Sequence, residues 1–173
     1  MDHRVRNQHP LSELPGIRVL FQSRDNPLRA QLAEHLLKHL GKGHFVVCSL
    51  PEQPVDPRVA NVLAELKIET TPEIAAVMPG NDAPDSFDYI ITMCDQSTAS
   101  CDGRDELCPN IPDNRPGGCW AFANPLDADS EEGVLTLLRR VRDEMSNRLC
   151  IWIPAAMHAH RKRNTGRVAQ SSI

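Results

Sequence analysis

The feature that most constrains the fold of this chain is a regular alternation of short apolar runs with segments of helical periodicity. Residues 17–21, Ile-Arg-Val-Leu-Phe, are β-branched and apolar, which is typical of a buried strand. Leucine then recurs every four residues over 28–40, so the leucines line one face of a predicted helix. Pro27 suits the first turn of that helix, and Gly41 suits its C-terminal end.

The alternation continues along the chain, and the order of the elements predicts the fold class. The further predicted elements are a strand over 45–48, a helix that begins at Pro57, strands over 87–93 and 119–122, and a helix over 131–149. Strands that alternate with helices form parallel sheets, because each helix carries the chain back across the sheet. We therefore expect an α/β fold, a three-layer sandwich in which a four-stranded parallel sheet has helices on both faces.

The two ends of the chain differ from its centre. Residues 1–15 are polar and are expected to form a flexible arm, and residues 16–153 hold the predicted domain. Residues 154–173 form a basic tail that we expect to be disordered. The long connection at 94–118 is rich in proline, glycine and aspartate, and connections of this length are usually functional or irregular.

Composition excludes several classes of protein. The 173 residues suffice for one domain, and 40% hydrophobic residues can build its core. The net charge of -4 argues against nucleic acid as a partner. No apolar run approaches the roughly 18 residues of a membrane span, and the N-terminus has no apolar secretory segment. We therefore expect a cytoplasmic protein without membrane contact.

The connection between the first strand and the first helix has the residues of an anion site. Parallel α/β sheets bind ligands at the carboxyl ends of their strands, often at the first such connection. Ser23 and Arg29 bracket this turn. The N-terminus of the following helix offers backbone N–H groups and positive potential, and an arginine can hold two oxygens of an oxyanion.

This connection, within VLFQSRDNPLRAQLAEHLLKHLG, resembles the phosphate loop of the low-molecular-weight protein tyrosine phosphatases and of the thioredoxin-coupled arsenate reductases that share their fold. The resemblance continues in the same order through PVDPRVANVLAELKIETT, FDYIITMCD, WAFANP and VLTLLRRVRDEM, and covers about residues 17–150. It implies a low-molecular-weight phosphatase-like fold, protein-tyrosine phosphatase or arsenate reductase activity, and phosphate or another oxyanion as ligand.

The chain departs from this family at the residues that carry the chemistry. The resemblance places Ser23 where the family has its nucleophilic cysteine, and Asn124, before Pro125, where it has the general-acid aspartate. A helix dipole and an arginine can lower the pKa of a thiol to near neutrality, whereas a serine hydroxyl needs a base beside it. An amide cannot protonate a leaving group. Ser23 and Asn124 are therefore predicted to be degenerate catalytic positions.

The predicted anion shell is altered as well. The resemblance implies that Asp25 replaces a glycine, Pro27 a serine and Ala30 a hydroxyl residue. Asp25 adds like charge beside the anion, and Pro27 removes one N–H donor. Asn26 and Arg29 are retained as anion-binding candidates. Two interpretations of Arg29 stay open, a retained anion contact and a salt bridge to Asp25 that fills the cradle.

Three cysteines after the third predicted strand are redox candidates. The resemblance aligns Cys94 with the second redox cysteine of the reductases, and Cys101 and Cys108 with two positions for the third. A Cys94–Cys101 disulfide, a Cys94–Cys108 disulfide and unpaired thiols stay open as alternatives. Cys48 and Cys150 are interpreted as apolar strand and helix-end residues. Because the chain has no C-x2-C pair, we expect neither a metal nor a cofactor.

The leading hypothesis is a catalytically inactive member of this family that acts as a binding or regulatory module with a protein partner. One alternative is an active phosphatase-family or arsenate-reductase-like enzyme with altered chemistry, at Ser23 or at a Cys94/Cys108 dithiol. The other is an oxyanion-binding sensor that uses Asn26 and Arg29.

Overall fold

The computed structural model describes residues 16–23, 26–51, 53–70, 86–94 and 117–170. The predicted arm at 1–15 lies outside these ranges. The strands are β1 (Ile17–Ser23), β2 (Phe45–Leu50), β3 (Tyr89–Cys94) and β4 (Gly117–Ala121). The helices are α1 (Leu28–Leu40), α2 (Pro57–Ala64) and α3 (Glu131–Gln170), and a short 3₁₀ helix (Pro125–Asp127) follows β4.

The four strands form one parallel sheet in the order β2-β1-β3-β4. The chain leaves β1 for β2 on one side and then crosses to β3 on the other, so the direction of winding reverses at β1. In parallel α/β sheets, ligands bind at such a reversal, outside the carboxyl ends of the strands. The register places Ser23, the last residue of β1, opposite Met93 of β3.

Core residues lie on both faces of the sheet, and the three described helices all pack with one of these faces. One core cluster joins one face of the sheet to α1, α2 and α3. A second, smaller cluster consists of Leu20, Cys48, Phe87 and Ile90. Leu20 and Ile90 lie between strand residues of the first cluster, and adjacent strand residues point to opposite faces, so this cluster covers the other face. The predicted α/β fold with a four-stranded parallel sheet and helices is confirmed.

Helix α1 has the predicted bounds, because both of its ends are encoded locally. Pro27 precedes it, and the backbone N–H of Gly41 donates to the Leu37 carbonyl at its end (2.8 Å). A Cβ at position 41 would lie 2.5 Å from Phe45 Cδ2 and 2.7 Å from the Leu37 carbonyl oxygen. Only glycine therefore allows the chain to turn so closely into β2.

Helix α3 is much longer than the predicted 131–149. It runs to Gln170, so the prediction that residues from 154 onward form a disordered tail is wrong as far as residue 170. Pro154 lies inside the helix. Proline lacks an N–H and usually ends or kinks a helix, which is why the sequence pattern indicated a boundary there.

Packing against the sheet holds the extension of α3. The Trp152 ring lies 5.1 Å from the Tyr89 ring and 5.9 Å from the Trp120 ring. Further along the helix, Arg163 Nη2 donates to Tyr89 Oη (3.3 Å), and the guanidinium lies 5.2 Å from the centre of that ring. These tertiary contacts outweigh the loss of one backbone hydrogen bond at the proline.

Asp56 caps α2, and its replacement by alanine should lower the free energy of unfolding by about 1 kcal/mol at pH 7. Its Oδ1 accepts from Arg58 N and Arg58 Nε (both 2.9 Å), and its backbone N–H donates to Gln31 Oε1 (3.0 Å). The hydrogen bond from the Arg58 side chain lowers the pKa of Asp56 below its ordinary value of 3.8.

Because folding lowers this pKa, the charged carboxylate stabilises the fold above pH 3.8, and the contribution is lost as the pH falls through the folded-state pKa. The difference between wild type and Asp56→Ala in urea unfolding should therefore shrink below that pH. The Asp56→Asn variant keeps a capping oxygen, so its free energy of unfolding should fall less than that of Asp56→Ala. A difference between wild type and Asp56→Ala that stays constant with pH would contradict this account.

Candidate functional site

Ser23, at the predicted nucleophile position, lies at the carboxyl end of β1 at the reversal of winding. The residue is only 7% exposed, and its hydroxyl has no hydrogen-bond partner among the residues that the structure describes. A serine becomes nucleophilic when a base within hydrogen-bond reach takes its proton. The described surroundings of Ser23 hold no such base.

Arg29 is the second residue of α1 and is 4% exposed. Its Nη1 donates to the backbone carbonyl oxygens of Cys94 (2.7 Å) and Phe122 (2.9 Å). Cys94 ends β3 and Phe122 follows β4, so the guanidinium joins the carboxyl ends of two strands to the start of α1. We call this arrangement the arginine clamp.

The arginine clamp is a contact of Arg29 that the sequence analysis did not predict, because it joins Nη1 to two main-chain carbonyls. It does not test the two interpretations of Arg29, an anion contact and a salt bridge to Asp25, which stay predictions. Asp25, the proposed salt-bridge partner, lies outside the described residues. The two carbonyls gain a charged donor in a buried place, where such hydrogen bonds are strong.

Asn26 and Asn124, which the sequence analysis proposed for different roles, bind each other directly. Asn26 Nδ2 donates to Asn124 Oδ1 (2.9 Å), which also accepts from the backbone N–H of Leu126 (3.2 Å). Asn124 Nδ2 donates to Asp127 Oδ1 (3.1 Å). A backbone N–H can only donate, so the Leu126 contact fixes the orientation of the Asn124 amide, and this in turn fixes that of Asn26.

Two side-chain oxygen atoms beside α1 are buried without partners within the described ranges. The orientation of Asn26 directs its Nδ2 at Asn124, and its Oδ1 has no described hydrogen-bond partner although Asn26 is 4% exposed. The Ser23 hydroxyl is the other such atom. Pro27 at the helix start has no N–H, and Ala30 is a fully buried core residue. The site thus has two unpaired buried oxygens where the family resemblance predicted donors to an anion.

The structure pairs Cys94 with Cys119, which corrects the predicted cysteine partners. The two residues form a disulfide with a Cα–Cα distance of 6.3 Å. Cys119 stands opposite Thr92 in the adjacent strand, so the disulfide crosses diagonally between β3 and β4 on one face of the sheet. Cys101 and Cys108 lie outside the described residues. Cys48 is buried, as expected of a strand residue, whereas Cys150 is exposed on α3 rather than packed.

The sequence reasoning missed Cys119 and the Phe122 carbonyl as parts of this site. A signal for Cys119 existed, because it lies in a predicted strand that follows the strand of Cys94. Among the residues described, no cluster of His, Cys, Asp or Glu is placed to hold a metal ion. In the same ranges, no helix combines the length and the apolar character that a membrane crossing requires.

Comparisons with known proteins give one family match and several similar structures. The family described as low molecular weight phosphotyrosine protein phosphatase matches residues 18–163. An arsenate reductase from Archaeoglobus fulgidus DSM 4304 is 26% identical with a TM-score of 0.55, over 79% of this chain and 98% of its own. An arsenate reductase in the phosphate binding state is 25% identical with a TM-score of 0.59, over 81% of this chain and 98% of its own.

A more distant structure shares the fold alone. The low molecular weight protein tyrosine phosphatase from Streptococcus pyogenes is 17% identical with a TM-score of 0.51, over 77% of this chain and 93% of its own. No curated protein matches the chain.

Proposed function

Because the chain belongs to the low molecular weight phosphotyrosine protein phosphatase family, we propose that it is a catalytically inactive member that acts as a binding or regulatory module. The observation that carries this proposal is the state of Ser23. Its hydroxyl stands where the family resemblance places the nucleophile, and no described group is within hydrogen-bond distance to take its proton. An alcohol ionises far less readily than a cysteine thiol, so a helix dipole alone does not activate it.

The surroundings of Asn124 support the loss of the general acid. Its amide caps the 3₁₀ helix and donates from Nδ2 to the Asp127 carboxylate. An aspartate at position 124 would place a second carboxylate beside Asp127, and the two negative charges would repel. The residues around position 124 therefore suit a neutral amide, which has no proton to give to a leaving group.

The arginine clamp supports a structural role for the retained arginine. Nη1 has two hydrogens, and two backbone carbonyls take them. In this arrangement Nη1 of Arg29 joins α1 to the carboxyl ends of β3 and β4, and the frame of the site is kept. Such a frame can present the surface around β1 and α1 to a protein partner.

Restoring the nucleophile alone should not restore the reaction. We expect Ser23→Cys to hydrolyse an aryl phosphate at least about 100-fold more slowly than the streptococcal relative assayed beside it, because general acid catalysis typically contributes 10²- to 10⁴-fold. The steady-state rate of p-nitrophenyl phosphate hydrolysis measures this. Ser146→Cys, at a partly buried position of α3 outside the site, is the matched control for a newly added thiol. A fully active Ser23→Cys variant would show that the loop is intact and would contradict the proposal.

The Cys94–Cys119 disulfide favours a second candidate function, thiol–disulfide chemistry without the missing nucleophile. Two thiols would lose two protons and two electrons to form the S–S bond, a peroxide would accept them and yield water, and a thioredoxin-type dithiol would return them. Peptide mapping after peroxide and then thioredoxin treatment tests this. A Cys94–Cys119 linkage that neither reagent changes would leave the disulfide a structural one.

A further inference from the structure

We propose that the exposed face of α3 binds a second copy of this chain in antiparallel orientation. The surface at its centre, the α3 surface, consists of Cys150, Ile151, Pro154 and Ala155, all exposed. Their spacing places them on one stripe of a helix. Ile151 is 79% exposed, against 45% for Leu66 and 44% for Leu126, the other exposed large apolar residues that the structure describes.

The charges on either side of the α3 surface select a second copy as the occupant. Asp143 and Glu144 precede it, and Arg161 and Lys162 follow it on the same stripe. A two-fold axis between positions 152 and 153 would set Glu144 opposite the Arg161 of the other copy, and Asp143 opposite its Lys162. Parallel helices would instead set like charges against each other. The stripe is therefore complementary to itself only in the antiparallel sense.

The apolar centre falls into register under the same two-fold axis. Ile151 would meet Pro154 of the other copy, and Cys150 would meet its Ala155. The small side chains of Cys150 and Ala155 let two helices approach closely, and no charged side chain would be buried at the centre of the contact. The same two-fold axis thus pairs the apolar residues with each other and the acidic residues with basic ones.

The opposite side of α3 is anchored, so the surface is rigid before binding. Trp152 and Ala156 pack in the core, the Arg148 guanidinium lies 4.6 Å from the centre of the Trp120 ring, and Arg163 holds Tyr89. A preorganised surface loses less conformational entropy on association. Trp152 contacts Tyr89 and Phe45, which begin their strands, and Trp120 in β4. The α3 surface lies on the other side of the helix and faces away from the sheet, so its role is independent of the proposed function.

Sedimentation equilibrium of the full chain should give the mass of a dimer. Ile151→Glu should raise the dimer dissociation constant roughly tenfold or more, because it would bury an unpaired carboxylate in the contact. Leu126→Glu is the matched control, since it adds the same charge at an exposed leucine outside the stripe. A wild-type protein that stays monomeric at its highest soluble concentration would overturn the proposal, as would a dimer that Ile151→Glu leaves unchanged.

The register has its own test, which does not depend on affinity. Under mild oxidation, Ala155→Cys should form a covalent dimer through disulfides from Cys150 of one copy to position 155 of the other, as peptide mapping would detect. Linkage only between the two Cys150 residues would indicate parallel helices and overturn the register. No linkage above the wild-type level would overturn it as well.

Exchange of charges tests the pairing of the flanks. Glu144→Lys and Arg161→Glu should each weaken the dimer about tenfold, and the double variant should return to within about threefold of wild type, because the pair is restored in reverse. Glu144 also bonds Arg140 on its own helix, so the Arg161→Glu variant is the cleaner single change. If the double variant instead raises the dimer dissociation constant by the product of the two single increases, the antiparallel pairing is contradicted.

Discussion

Replacement of Arg29 by alanine is expected to lower the free energy of unfolding by about 3 kcal/mol, which for a chain of this size corresponds to a fall in Tm of about 6–12 °C. The side chain is buried and supplies a charged donor to the carbonyls of Cys94 and Phe122. Cys94 O would keep the backbone N–H of Phe122 as a donor, but Phe122 O would lose its bond from Nη1 in a buried place. Thermal and urea unfolding measure the loss.

The matched control for this prediction is another arginine that the solvent reaches. Arg140 donates to Glu144 (2.8 Å), and 62% of the Arg140 side chain is exposed. Arg140→Ala should therefore lower the free energy of unfolding by less than about 1 kcal/mol. In an active family member the same arginine would be expected to serve an anion, and its loss would register chiefly as lost activity. If Arg29→Ala is as stable as Arg140→Ala, the arginine clamp does not stabilise the fold, and the proposed structural role of Arg29 is wrong.

Loss of the Cys94–Cys119 disulfide should have an effect of similar size. The two cysteines are separated by 25 residues in sequence. Breaking a disulfide that closes a loop of that length is expected to lower the free energy of unfolding by about 3 kcal/mol, chiefly because the unfolded chain regains conformational freedom. Cys119→Ser, or reduction of the wild type, should therefore lower the midpoint of thermal unfolding by about 6–12 °C.

Cys150→Ser provides the control for the disulfide, because Cys150 is exposed and not disulfide-bonded. On reduction, its unfolding midpoint should fall by as much as that of wild type, because the Cys94–Cys119 disulfide is kept. Cys94 O is also an acceptor in the arginine clamp, so an effect of Cys119→Ser that is not additive with Arg29→Ala would indicate that the two features act as one unit. Equal unfolding midpoints for wild type with and without reductant would contradict a stabilising disulfide.

The parts of the fold that the sequence predicts are those encoded by neighbouring residues. The leucine period with Pro27 and Gly41 defines α1 to the residue, and the apolar runs locate all four strands within a few positions. The end of α3 was missed because Pro154 is a strong local signal, whereas the contacts of Trp152 and Arg163 that hold the helix are made with residues far away in sequence.

The site shows the same division between local and distant information. The position of Ser23 at the end of β1 follows from the strand pattern. The acceptors of Arg29 are main-chain atoms 65 and 93 residues away, so no side-chain pattern indicates them. The Cys94–Cys119 pair depends on the register of β3 with β4, which a list of cysteine spacings does not contain.

The measurement that tests the inactive character most directly is the turnover of the unmodified chain on an aryl phosphate and in thioredoxin-linked arsenate reduction. We expect no rate above that of the buffer, since the family resemblance places an alcohol, with no base among the described residues, where the family has its attacking sulfur, and an amide where the family has its acid. Hydrolysis or reduction at a rate comparable with that of the related enzymes, and abolished by Ser23→Ala, would contradict the account.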